Sequence, residues 1–210
     1  MRFVLALMAL ALAAPAQDRD FLTADEADQV REAQEPNARL QLYVKFAQER
    51  LELLKQLMTS TKPGRTLLIH DTLEDYTHII EAIDTVADDA LKRKADIAVG
   101  MKAVAEGEKQ MAETLNKMNE NPGKDFARYE FAMQQAMETT QDSLDLSNEN
   151  LNTRAGQVEA KEKKEKAERE AMMSEGEVKE KKAAEKKTEQ TKRKVPTLRR
   201  PGEVKDPPKQ

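Results

Sequence analysis

The stretch that decides the fold is TLLIHDTLEDYTHIIEAIDTVADDAL, residues 66–91. Its apolar residues recur at alternating steps of four and three, namely at Ile69, Leu73, Tyr76, Ile80, Ile83 and Ala87. Residues at these steps share one face of a helix, so the spacing is typical of a helix that lies along another helix. We therefore expect Ile80 and Ile83 to be buried and Glu81 to be exposed.

A second apolar run follows this seam. The phase of the pattern slips after Asp88 and Asp89, and the run then continues through Ile97, Met101, Val104, Met111, Leu115 and Met118. Residues 66–120 form either one helix of roughly 80 Å, at 1.5 Å per residue, or two helices joined tightly near residues 89–94. Neither Gly nor Pro marks the slip. The missing turn residues favour one continuous helix.

Helices are also predicted on both sides of this segment. Thr23 and Glu26 have the capping-box spacing and indicate a short leading helix over residues 24–34. A broad apolar face predicts a second helix over residues 36–59. That face consists of Leu40, Tyr43, Ala47, Leu51, Leu54 and Met58, with a second stripe at Phe46, Leu53 and Leu57.

A last long helix is predicted over residues 125–155, with Asp125 as its cap. Its face consists of Phe126, Tyr129, Met133, Met137, Thr140, Leu144 and Leu151. The short turn at Pro122 and Gly123 requires this helix to run antiparallel to the one before it.

The predicted fold class is therefore all-α, an antiparallel bundle of three to four long helices with a short leading helix. If the central helix does not bend, its two halves pack against different neighbours. Their apolar faces are then half covered, which favours a homodimer through the seam faces. The predicted bundle domain covers residues 17–156.

Residues 157–210 are predicted to be a charged, largely solvated tail, helical or disordered, because they have almost no large apolar side chain. Up to Gly156 the chain has 18 basic and 27 acidic residues, and beyond it 17 and 12. A basic tail on an acidic body predicts an anionic partner, such as an envelope polymer, a membrane surface or an acidic protein face. The alternative is that the tail only keeps the protein in solution.

The first residues, MRFVLALMALALAAPAQ, have the form of a cleavable signal peptide over residues 1–16. The apolar run is too short for a membrane span, which needs about 20 residues, and no other span is predicted. The chain has no cysteine. We expect a periplasmic or secreted protein without disulfides, and no nucleic acid as a partner.

Both histidines lie in HDTLEDYTH, residues 70–78. Helical geometry puts His70, Glu74 and His78 on successive turns of one face, so these are weak candidates for a metal site. The spacing of Asp75 and His78 resembles half of a di-iron bundle site, but the sequence has no second Glu-x-x-His. The seam directs His78 away from the core and leaves His70 at its edge. We therefore predict a solvated polar face, no metal and no cofactor.

Methionines raise a second metal hypothesis, since thioethers can bind Cu(I). Met101, Met111, Met118, Met133 and Met137 lie on the helices on either side of Pro122. These positions coincide with the predicted seams, where Met fills a core or forms an adaptable groove. Core filling is the simpler interpretation.

No sequence pattern indicates catalysis. The chain has no cysteine nucleophile, no glycine-rich phosphate loop and no GxSxG motif. We therefore predict no catalytic residue. The function we expect is that of an exported helical-bundle interaction protein, which acts as a scaffold, an adaptor or an envelope-associated binding protein.

The leading stretch FLTADEADQVREAQ, residues 21–34, resembles the Leu-Thr-x-x-Gln helices of small periplasmic helical stress chaperones. Glu26 stands where that pattern has Gln. The resemblance implies an alternative function as a periplasmic chaperone or stress protein. The histidine face adds metal handling to the same alternative class.

Overall fold

The computed structural model describes residues 20–123 and 125–172. These residues contain six α-helices, one 3-10 turn at Phe126–Arg128 and no β-strand. The helices are α1 (Ala24–Glu32), α2 (Pro36–Thr59), α3 (Arg65–Lys92), α4 (Ala98–Glu120), α5 (Glu130–Asn148) and α6 (Leu151–Met172). The predicted all-α fold class is confirmed, while the predicted signal peptide lies outside the described residues.

The core is a bundle of four helices, α2 to α5. Helices α3 and α4 occupy opposite corners, since each packs against both α2 and α5. The predicted seam of α3 is confirmed, because its six apolar residues are fully buried. Glu81 is exposed, as expected. The second stripe of α2 is only partly correct, because Phe46 is buried while Leu53 is 43% exposed.

The prediction of one continuous helix over residues 66–120 is wrong. Helix α3 ends at Lys92, and Lys94 has the left-handed backbone conformation, with φ at 57°. The Lys94 amide donates to the Leu91 carbonyl at 2.9 Å, and the Ala95 amide donates to the Ala90 carbonyl at 3.0 Å. This pair of bonds is the Schellman arrangement, which usually has glycine at the left-handed position. A lysine there gives no sequence signal for the turn.

Asn37 of α2 holds this turn in place from another part of the chain. Its side-chain amide nitrogen donates to the Asp96 carbonyl at 2.8 Å, and its oxygen accepts from the Gly100 amide at 2.7 Å. The Asp96 carboxylate accepts from the Ala98 amide at 3.0 Å. Two side chains thus satisfy amide groups that the first turn of α4 would otherwise leave without partners.

Helices α2 and α4 run parallel and approach closely at two glycines. A Cβ atom added to Gly100 would lie 2.8 Å from Leu40 Cδ1, and one added to Gly107 would lie 2.6 Å from Val44 Cγ1. Both distances are shorter than carbon atoms tolerate. The two glycines therefore permit the distance at which these helices pack.

The chain reversal also removes the premise of the predicted homodimer. Seam residues of α3 and α4 are buried within one chain, instead of being half covered on a long helix.

The helix predicted over residues 125–155 is wrong in its bounds too. It consists of the 3-10 turn, α5 and the start of α6, because Glu149 is extended and Asn150 caps α6 at the Asn152 amide, 2.9 Å away. Asp125 makes no cap bond and instead binds Arg65 at 3.1 Å.

Helix α1 begins as predicted. The Thr23 hydroxyl accepts from the Glu26 amide at 3.3 Å, and the Glu26 carboxylate accepts from the Thr23 amide at 2.7 Å. Glu26 is also buried against Arg50, whose guanidinium donates to both carboxylate oxygens at 2.7 and 2.8 Å. Burial alone would raise the pKa of Glu26, but the bonds from Arg50 and Thr23 hold it below its usual value. This ion pair fixes α1 to α2.

The first prediction concerns the contact between α2 and α4. Replacing Gly107 with Ala should destabilise the protein by about 1–3 kcal/mol, because the new methyl group overlaps Val44. Gly156→Ala is the matched control, since no atom lies within 4 Å of a Cβ added there. The control should change stability by less than about 1 kcal/mol, in the stabilising direction. Urea denaturation measures both, and equal effects would contradict the close approach.

Candidate functional site

A group of ionisable and hydroxyl side chains lies inside the bundle where an apolar core would be expected. We call it the ionic cluster, and its members are Asp84 and Asp88 of α3, Glu108 of α4, Ser143 and Ser147 of α5, and Arg154 of α6. Four helices thus contribute to one polar site. Polar groups in such a position cost free energy unless hydrogen bonds satisfy them.

Glu108 is the centre of the ionic cluster, with none of its surface exposed. The Ser143 hydroxyl donates to one carboxylate oxygen at 2.6 Å, and the Ser147 hydroxyl donates to the other at 2.7 Å. Burial raises the pKa of Glu108 to about 7, and the nearby Asp84 carboxylate acts in the same direction. The serine bonds and Arg154 oppose that rise. Glu108 therefore exchanges a proton near neutral pH.

Arg154 closes the cluster from α6 and is only 2% exposed. Its Nε donates to Asp88 at 2.9 Å and its Nη2 donates to Asp84 at 3.1 Å, while Nη1 has no hydrogen-bond partner in the described structure. Burial raises the pKa of Asp84, although the Arg154 charge lowers it. The Arg154 guanidinium thus binds the carboxylates of Asp84 and Asp88 directly, and its positive charge also acts on the Glu108 carboxylate.

Tyr76 and Thr140 extend the polar interior towards the apolar core. The two hydroxyl oxygens are 2.7 Å apart, and both side chains are fully buried. The Thr140 hydroxyl also lies 2.6 Å from the Ala136 carbonyl. This hydrogen bond joins α3 to α5 at the centre of the seam.

Sequence reasoning missed the ionic cluster, although a signal was present. Glu108 continues the seam of α4, since it lies four residues after Val104 and three before Met111. On α5, Ser143 and Ser147 follow Thr140 of the predicted face at steps of three and four, and Ser143 lies one position before Leu144 of that face. Short polar residues at seam positions were the sign that the core is partly polar.

The predicted histidine face is divided in the structure. His70, Asp71 and Glu74 each offer a ligand atom, and these atoms all lie within 4.8 Å of one another. His78 is not part of this group. Its Nδ1 is 3.1 Å from the Glu81 carboxylate, and its ring centre is 5.8 Å from that of Phe21. The structure therefore joins His70 with Glu74, adds Asp71 and separates His78.

His70 also lines a small cavity of about 270 Å³ together with Thr66, Leu67 and Arg128. The His70 side chain is 35% exposed and that of Glu74 is 53% exposed, so water reaches both. The guanidinium of Arg128 at the same cavity disfavours a bound cation. His70, Asp71 and Glu74 nevertheless offer imidazole and oxygen ligands for a divalent ion at a shallow surface site.

The methionines lie where core filling requires them. Met101, Met111, Met118 and Met133 are at least nine-tenths buried within the apolar core. Met137 is partly buried against the same core. Their environment is that of flexible core side chains.

Comparisons with known proteins give no functional assignment. No protein-family model matches the chain, and searches of curated proteins and of solved structures found no match either. Within the described residues, no helix combines the length and apolarity that crossing a membrane requires.

The second prediction tests Glu108 through the pH dependence of stability. Its pKa is about 7 in the folded chain, against an ordinary glutamate value of 4.5. Its proton therefore stabilises the fold fully below pH 4.5, and this contribution falls as pH rises to about 7. Between pH 5.5 and pH 8 the wild-type protein should lose about 2 kcal/mol of stability from this group.

Glu108→Gln should flatten that dependence, because the amide carries no charge at either pH. Urea denaturation at the two pH values measures the difference. Glu113→Gln is the control, since Glu113 is an exposed carboxylate on the same helix. A wild-type protein that is more stable at pH 8 than at pH 5.5 would contradict the assignment of Glu108.

Proposed function

We propose that this chain is an exported helical-bundle protein that acts by binding, as a scaffold, an adaptor or an envelope-associated protein, without chemistry of its own. The observation that carries the proposal is the attachment of α6. Arg154 and Val158 are buried, whereas the later residues of α6 whose side chains are described are exposed. The bundle thus holds the first two turns of a helix that has no core of its own.

The chain divides after Val158 into two units, and α6 spans the boundary. From Glu159 to Met172 the helix has five basic and five acidic residues, all spaced for local ion pairs. One such pair, Lys164 with Glu168, has its charged atoms 3.9 Å apart. Exposed pairs at this spacing add a few tenths of a kcal/mol each to helix stability. The segment is built to remain helical in water.

The excess positive charge follows this neutral segment. Residues 173–210, which lie outside the described residues, contain 12 basic and seven acidic residues. A basic segment connected to an acidic body favours an anionic partner, either an acidic protein surface or an anionic envelope surface. Export rests on the sequence of residues 1–16, which lie outside the described residues as well.

The third prediction separates the two parts of the tail. A chain that stops after Val158 should keep the thermal transition of the bundle, because the removed residues bury no described side chain. Binding to vesicles that contain phosphatidylglycerol should be lost when residues 173–210 are removed. It should also weaken with added salt, since exposed charges are screened beyond about 8–10 Å at physiological ionic strength.

A chain that stops after Met172 is the matched control, since it keeps α6 and lacks only the basic residues. It should bind vesicles as weakly as the shorter chain. Equal binding by the full-length and truncated chains would refute the role of the tail. Phosphatidylcholine vesicles without the anionic lipid give the baseline for the charge effect.

Metal handling is a second candidate function, and the observation that favours it is the grouping of His70, Asp71 and Glu74. Stress-chaperone activity, the other alternative, rests only on residues 21–34. There Glu26, which occupies the position of Gln in that pattern, is used to bind Arg50.

The fourth prediction distinguishes the metal candidate. If the site is used, Zn²⁺ should bind with one-to-one stoichiometry in isothermal titration calorimetry, and His70→Ala should abolish that binding. His78→Ala is the control and should bind zinc as the wild type does, because His78 lies outside the group. Loss of binding in both variants, or no binding by the wild type, would reject the site.

A further inference from the structure

The ionic cluster does more than fill the bundle, because it provides the polar attachment of α6. In the described part of that helix, Arg154 and Val158 are the buried side chains, and Leu151 packs partly against the core. Arg154 binds Asp84 and Asp88, both on α3. The attachment of the first two turns of α6 thus combines apolar contacts with a buried ion pair, and the ion pair is the part that responds to charge.

The charged groups around Glu108 come from two neighbouring helices. Helix α3 contributes Asp84, Asp88 and the phenol of Tyr76, whose pKa is raised by burial, and α6 contributes Arg154. Helix α5 faces Glu108 with the hydroxyls of Ser143 and Ser147. On α2, Val44 and Gln48 lie next to the adjacent Gly107, and both are uncharged.

The attachment is not optimised for strength. A buried ion pair offsets the cost of leaving water only when further hydrogen bonds satisfy the remaining donors. Nη1 of Arg154 is buried and has no partner in the described structure. One buried donor of Arg154 is thus uncompensated, so its docking depends on the negative charges around it.

We propose that the ionic cluster is a proton-operated latch, in which ionised Glu108 strengthens the hold on Arg154 and protonated Glu108 releases residues 151–158 from the bundle. The latch is independent of which partner the tail binds. It determines whether the start of α6 is fixed to the bundle or free of it.

The direction of the coupling follows from reciprocity. Docked Arg154 lowers the pKa of Glu108, so it favours the ionised form. By linkage, ionised Glu108 must favour docked Arg154 by the same factor. Asp84 acts in the same direction, because its ionised form binds Arg154 directly. Acidification therefore weakens the attachment of α6 through the protonation of Glu108 and of Asp84.

The latch and the bundle respond to acid in opposite directions. Protonation removes a buried charge next to Asp84, so the four-helix core becomes more stable as pH falls towards 5.5. Over the same range, α6 loses part of its attachment. This opposition separates a latch from general loosening of the protein.

Hydrogen exchange measured by NMR tests the proposal on the full chain. The protection factors of amides 151–158, corrected for the intrinsic exchange rate at each pH, should fall on the order of tenfold between pH 8 and pH 5.5. Core amides of α3 and α4 should keep or increase their protection. Unchanged or increased protection of residues 151–158 at pH 5.5 would overturn the proposal.

Two variants define the limits of the response. Glu108→Gln should show weak protection of residues 151–158 at pH 8, and Arg154→Gln should show it at every pH. Glu113→Gln is the matched control and should follow the wild type. If Glu108→Gln retained the wild-type change near pH 7, Glu108 would not be the trigger and the proposal would fail.

Should Glu108→Gln not fold, the reciprocal measurement decides. Carboxyl ¹³C NMR should show a higher pKa for Glu108 in Arg154→Gln than in the wild type, because the variant lacks the positive charge that favours ionised Glu108. An identical pKa in the two proteins would show that the sites are not coupled, which would also overturn the latch.

Discussion

The bundle depends on the reversal of the chain at residues 93–97. Without it, α3 and α4 would form one rod whose apolar faces require other molecules to cover them. The reversal places lysine in a left-handed conformation, which costs about 1 kcal/mol or more for a residue with a side chain. Hydrogen bonds of the Schellman turn and of Asn37 offset that cost. The close approach of α2 and α4 at Gly100 and Gly107 follows from this reversal.

The interior of the bundle contains the ionic cluster, a set of charged and hydroxyl side chains where apolar residues would be expected. Glu108 and its two serines join α4 to α5, while Arg154 joins α6 to α3. Replacing such groups with apolar side chains of similar volume often stabilises a protein. Their presence here is consistent with a role in controlling the attachment of α6. The stability that the core loses by burying these polar groups is then the cost of an attachment of α6 that responds to pH.

The attachment of α6 also connects the fold to the proposed binding function. A charged helix without a core of its own is attached to the bundle by two buried side chains, Arg154 and Val158. The segment that follows is electrically balanced, and the basic excess is confined to residues 173–210. Along the chain, the electrically balanced segment thus lies between the bundle and the basic residues that would bind a partner.

The sequence by itself determined the helical class, the start of α1 and the buried seam of α3. Each depends on local spacing: the capping box on two residues three positions apart, and the seam on apolar side chains that share one helical face. Ile80, Ile83 and Glu81 lie where that spacing puts them. The exposure of His78 followed from the same periodicity.

Only the tertiary structure decided where the chain reverses and what the interior contains. The turn at Lys94 has no glycine, and its stabilising partner, Asn37, is more than 50 residues away along the chain. Glu108 and Arg154 look like ordinary charged residues of solvated helices. They are buried because α3, α4, α5 and α6 meet at one point, and local spacing carries no information about that meeting.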